Sequence, residues 1–188
     1  MKHLFFIIIF IILIAVPDIS AQRYLPGQQG VQVISGSVNG LNPGEGFHGG
    51  IAFSKYAKNT NRWVLGIEYL EKAHKYKDIK IPQSQFTIDA GYFFKFFSEP
   101  SKTFFLSLGA SGIAGYESIN WDKKLLFDGA TIRNKDSYLY GGAVTLEAEI
   151  FLSDRLILLA NVRERLLLGS SVGKFNTVFG LGLKIIIN

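Results

Sequence analysis

The chain has 188 residues, 48% hydrophobic and 14% aromatic, with 20 glycines, no cysteine and a formal net charge of +5. That length suits a single domain, and the missing cysteine excludes a disulfide scaffold, a cysteine-ligated zinc site, a thiol nucleophile and a lipoprotein anchor. A charged fraction of only 19% is low for a cytosolic enzyme and points to an extended β protein that need not face water.

The N-terminus reads as an export signal. Met1-Lys2-His3 precedes an unbroken apolar stretch from Leu4 to Val16, which Pro17-Asp18-Ile19-Ser20-Ala21 follows. This charged, apolar and small-residue order predicts a secretory signal peptide cleaved after Ala21. The stretch is shorter than the roughly 20 apolar residues a membrane-spanning helix needs. Residues 1–21 are therefore assigned to the signal and 22–188 to one domain. Cleavage removes one base and one acid, so the domain keeps the charge of +5.

From Val31 onward the hydrophobic pattern has period 2, the mark of strands. Strands are expected at about 30–38, 49–57, 63–70, 85–96, 103–116, 138–151, 156–163 and 175–187. Trp63, Leu65, Ile67 and Tyr69 fall on one face of their strand; Phe86, Ile88, Ala90, Tyr92, Phe94 and Phe96 do so on theirs. The connections run long (39–48), short (58–61), long (71–84), short (98–102), long (117–137), short (153–154) and intermediate (169–174). Alternating long and tight connections are expected of an eight-stranded, antiparallel, up-and-down β-barrel of the outer-membrane type. A soluble lipocalin-like binding barrel is the alternative for the same strands. Volume disfavours it, because eight strands leave an interior only wide enough for side chains, and the bulky set fits better outside.

On this parity Glu68, Asp89, Lys95, Thr145, Glu147, Glu149, Asn161, Arg163, Arg165 and Lys184 face the lumen. Glu68, Asp89, Glu147, Glu149, Arg163 and Arg165 form the candidate charge network, with Glu147 in diagonal reach of Arg163. A salt-bridge filling accounts for such a set more simply than an ion path. Tyr56, Tyr69, Phe96, Phe97, Phe104, Tyr116, Tyr138 and Phe151 lie near strand ends and suit interfacial girdles. Lys72, Lys75, Lys77 and Lys80, with Trp121, mark candidate external contact loops. The basic run is compatible with lipid phosphates, DNA, an acidic partner or plain solvation. In 117–137, Trp121, Leu125, Leu126 and Phe127 suggest a loop that folds back or meets a partner.

Catalysis lacks a motif. His48 and His74 are the only histidines of the domain, both expected in external loops, and Gly44–Gly50 precedes no helix that would make it a phosphate loop. No catalytic residue, metal, cofactor or small-molecule substrate is expected.

Several blocks also resemble a known family: Gln22-Arg23-Tyr24-Leu25-Pro26-Gly27-Gln28-Gln29-Gly30, Glu68-Tyr69-Leu70, Ile81-Pro82, Gly112 to Asn120, Leu126-Phe127-Asp128-Gly129 and Phe151-Leu152-Ser153-Asp154-Arg155. Together they are similar to the TraO proteins of Bacteroides-type conjugative transposons. The resemblance implies a non-enzymatic, accessory outer-membrane component of a type IV secretion-like transfer apparatus. Its implied partners are outer-membrane lipid and other conjugation-apparatus proteins, without direct nucleic-acid contact. An independent envelope barrel for surface contact or exclusion remains the other reading. The resemblance implies no catalytic residues.

Overall fold

Alternation of apolar and polar residues over ten or more positions favours long strands with two distinct faces, and eight such strands follow one another here. In the computed structural model they are β1 (Gln29–Val38), β2 (Gly46–Tyr56), β3 (Arg62–Tyr76), β4 (Ile79–Ser98), β5 (Phe104–Ile119), β6 (Ser137–Phe151), β7 (Leu156–Leu168) and β8 (Phe175–Ile186). The structure describes residues 24–40, 46–76, 79–124, 131, 136–170 and 173–187. The expected signal peptide, 1–21, lies outside the described residues, as do Lys77, Leu125, Leu126 and Phe127.

Each strand pairs antiparallel with the next, and β1 pairs with β8 from Gly30↔Ile186 to Val38↔Val178, which closes the barrel. Within the closed part of the barrel each strand is paired on both sides, so its ladder groups find partners without water. Among the described residues no helix is long and apolar enough to cross a membrane. A crossing by this chain uses strands.

Tight turns collect at the end where β1 begins and β8 ends. Ala57 N–H donates to Asn61 O at 2.7 Å, Lys102 N–H to Glu99 O at 2.9 Å, and Leu152 N–H to Leu156 O at 2.9 Å. Tyr24 folds into this terminal end, its ring 3.9 Å from that of Tyr56 and close to Phe105 and Phe151. With Ile157, Leu159 and Ile186 they form an apolar plug. Tyr56 and Phe151, expected in the girdle, therefore point inward: they share the parity of Ser54 and Glu149, and strand parity overrides position near a strand end.

The distal end departs from the expected loops. Segment 71–84 is not a loop, because β3 and β4 continue as a hairpin up to the pair Tyr76↔Ile79. Pro82 is tolerated because it lies beyond Gln83↔Ile119, the last pair that β4 makes with β5. The predicted 39–48 loop is shorter too, since β2 starts at Gly46. His48 is thus a strand residue with its ring in the lumen, 1% exposed.

The outer wall is apolar. Trp63, Leu65, Ile67, Phe86, Ile88, Phe94, Leu108, Leu146, Leu181 and Ile185 are among its exposed side chains. In β8 this face runs from Phe175 to Ile185, about 25 Å high at roughly 3.3 Å per residue and a tilt near 40°. That height matches the apolar band of a membrane barrel. The small residues are not confined to the lumen, since Ala90, Gly112 and Gly142 align in one outward-facing row.

Candidate functional site

Strands β3 to β8 send charged side chains inward, and the narrow lumen must neutralise them, because an unpaired buried charge costs several kcal/mol. They meet in three layers. Nearest the termini, the Arg62 guanidinium donates to Glu147, reaches Glu149 Oε2 at 3.4 Å and Ser107 Oγ at 3.3 Å, and lies 4.7 Å over the Phe93 ring. Lys184 pairs with Glu149, lies 3.6 Å from Glu147 Oε1 and donates to the Tyr56 hydroxyl at 3.2 Å. This layer is neutral.

In the middle layer Arg163 donates to Glu68 Oε1 at 2.7 Å, Asp89 Oδ2 at 3.2 Å and Thr145 Oγ1 at 3.0 Å. Arg165 donates to Thr87 Oγ1 at 3.1 Å and lies 3.7 Å from Glu68 Oε2. Toward the distal end Glu117 accepts from Gln83 at 2.6 Å, Gln85 at 2.9 Å and Ser170 at 2.8 Å, while Lys72 donates to Asn176. Among the described residues, five acids (Glu68, Asp89, Glu117, Glu147, Glu149) and five bases (Arg62, Lys72, Arg163, Arg165, Lys184) thus face the lumen, and their charges cancel.

All six residues of the predicted charge network point inward, but their pairing differs from the expectation. Glu147 bonds to Arg62 and approaches Lys184, because its ladder partner is Asn161 and Arg163 sits opposite Thr145. Lys95 is half-buried beside the β-bulge between Lys95 and Phe97, outside these layers. Arg62, Glu117 and the inward turn of Lys72 were missed. Carrying the β3 alternation of Val64, Gly66 and Glu68 one step back and two steps on finds Arg62 and Lys72, and the same extension of β5 finds Glu117.

The lumen is packed. Its internal cavity, between Gln32, Ile34, Val64, Glu68, Asp89 and Arg163, has a volume of about 20 Å³, room for roughly one water molecule. A cavity of that size has no room for a nucleic-acid strand. Among the described residues no group of three or more His, Asp or Glu is placed to hold a metal ion. His48 Nε2 lies 3.2 Å from Phe179 O, and His74 Nε2 lies 2.8 Å from Gln83 Oε1.

The distal rim carries further polar residues. Tyr69 donates to Glu71 Oε2 at 2.5 Å, with its ring 4.8 Å from Phe86 and 5.7 Å from Phe47. Tyr116 donates to Asp136 Oδ2 at 3.1 Å and packs edge-on against Tyr138 at 5.6 Å. Partial burial acts to raise the Asp136 pKa; bonds from Ile119 N–H and the Ser118 and Tyr116 hydroxyls outweigh it and hold the carboxyl below its usual value. Of the predicted contact residues, Lys75 and Trp121 are exposed, Lys80 pairs in register with Lys75, and Lys72 is buried instead of exposed, because it shares the inward parity of Glu68 and Leu70.

The profile of the family described as conjugative transposon protein TraO matches residues 25–187. The chain belongs to the TraO family. No curated protein matches it. Among solved structures, this TraO-family chain is similar to Neisserial surface protein A, at 13% identity and a TM-score of 0.60, over 85% of this chain and 97% of that one. It is also similar to Ail, the attachment invasion locus protein of Yersinia pestis, solved with the heparin analogue sucrose octasulfate. That match has 8% identity and a TM-score of 0.53, over 85% of this chain and 97% of that one. At these identities the likeness establishes the fold: the TraO-family barrel is of the outer-membrane type. The family also makes the chain a conjugative transposon component.

Proposed function

We propose that this TraO-family protein is a non-enzymatic accessory component of the transfer apparatus, a solid barrel that anchors or organises other parts at the outer membrane. The observation that carries this reading is the packed lumen, with ten balanced charges in three layers and an internal cavity of about 20 Å³, which leaves the barrel surface and its ends as the working parts. The termini and tight turns lie on the periplasmic side in this arrangement, and the β3–β4 hairpin and the 120–136 connection face outward. The chain reaches the membrane by way of its export signal.

A tagged copy purified from the outer membrane of donor cells is expected to bring other transfer proteins with it. Recovery of the barrel alone would contradict an apparatus role. Deleting the gene separates this role from that of an independent surface barrel. Lost donor ability supports the apparatus; unchanged donor ability with altered recipient behaviour supports surface contact or exclusion.

A further inference from the structure

We propose that the internal cavity of the barrel binds one neutral guest that donates two hydrogen bonds, a single water molecule that ties β1 to β7. Three observations meet there. The first is space. The cavity of about 20 Å³ lies between Gln32, Glu68, Asp89, Glu147, Asn161 and Arg163, and one water needs about 10–15 Å³. Glycines on β2 and β3 keep it open. A Cβ on Gly66 would lie 2.8 Å from Asp89 Oδ1, and one on Gly50 would lie 2.8 Å from Glu68 Cγ.

The second observation is a pair of acceptors. Gln32 is 7% exposed, and its Oε1 accepts no hydrogen bond from the protein; neither does the buried Oδ1 of Asn161. Both side chains line the cavity, from the two strands that flank β8. A buried acceptor without a donor is costly, so each oxygen calls for an N–H or O–H from whatever the cavity holds. Arg163, on the same lining, offers the converse. Its guanidinium has five N–H groups, and the bonds to Glu68, Asp89 and Thr145 use three of them.

The third observation is charge, which selects the guest. Glu68 and Asp89 are bonded to Arg163, and Glu147 to Arg62. The inward charges of the described residues already cancel, so a cation would add an uncompensated charge to a buried interior. An anion would face three carboxylates. A neutral guest remains, and it must donate twice, which the single hydroxyl of an alcohol does not do. Water donates once to each amide oxygen and accepts from Arg163, which gives the roughly three bonds usual for a buried water. Strand β1 carries no charged residue; the water joins it to the Arg163 layer through Gln32.

The test is solution NMR of the full-length, 15N-labelled barrel in deuterated detergent micelles. Paired NOE and ROE spectra are read at the side-chain amide protons of Gln32 and Asn161. Both are expected to show cross-peaks at the water resonance, of opposite sign in the two spectra, the mark of a water held in place. Ala52, directly opposite Gln32 in the β1–β2 ladder, also lines the cavity. Ala52→Val should therefore cut both cross-peaks at least fivefold. Heat-modifiable gel mobility checks that this variant folds; if it does not, Gln32→Leu is read instead, with the same loss expected at Asn161. Exchange of sodium chloride for choline chloride at constant ionic strength should leave both amide shifts unchanged. Wild-type spectra without these cross-peaks overturn the site, as does full intensity in the folded variant. An amide shift that follows sodium overturns it in favour of a cation.

Discussion

Arg62 illustrates how single side chains hold the barrel. Fully buried, it neutralises part of Glu147 and Glu149 and stacks on Phe93. Arg62→Leu leaves two buried carboxylates with Lys184 as their remaining cation and is expected to destabilise the fold by about 3 kcal/mol. Adding Glu147→Gln should recover part of that loss, because the deficit comes from an uncompensated charge and not from lost packing. Urea unfolding of the protein in vesicles measures both. At the rim, the depressed pKa of Asp136 means that folding favours its charged form. Its contribution is present above the ordinary carboxylate value, about 4, and is lost as pH falls through the lowered one. Trp121 emission, followed in a Trp63→Phe background, should change in that acid window, and Asp136→Asn should show the altered emission already at neutral pH. Invariance of the emission in both would contradict this role for Asp136.

Among the elements, the β1–β8 seam is the most demanding, since it joins the two ends of the chain. Gly36 pairs with Gly180 there, and a Cβ on Gly36 would lie 1.8 Å from Phe179 O, inside the backbone of the facing strand. Gly36→Val should therefore keep the seam from closing and sharply reduce the fraction of protein with heat-modifiable mobility; a normally folded variant would contradict the close approach. The strands were largely legible in the sequence because each carries two faces of opposite character, as Leu65 and Ile67 against Gly66 and Glu68 do. Their ends were less so. Segment 71–84 is polar, basic and interrupted by Pro82, so its composition reads as a loop, while its register continues the ladder to Tyr76↔Ile79. The inward residues Tyr56 and Phe151 were obscured in another way, because a ring at a strand end suits both an interfacial girdle and a plug. Strand parity, shared with Ser54 and Glu149, decides between them, and Tyr24 arrives from outside the strands to stack on Tyr56. The partners within the lumen were not legible at all: Arg62 and Glu147 are 85 residues apart and meet across the closed barrel.

For the whole molecule, closure and lumen filling are two sides of one constraint. Eight strands enclose a space that side chains just fill, and a sequence that sends ten charges into it is stable only when they cancel. That arrangement suits a membrane component whose contacts are made by its wall, rim and ends. It also separates an anchoring part of a transfer machine from a conduit. The most direct test is ion conductance of the purified, heat-modifiable barrel in planar lipid bilayers. The sealed lumen predicts no discrete conductance steps at any applied voltage the bilayer tolerates; reproducible single-channel openings that scale with protein concentration would contradict it.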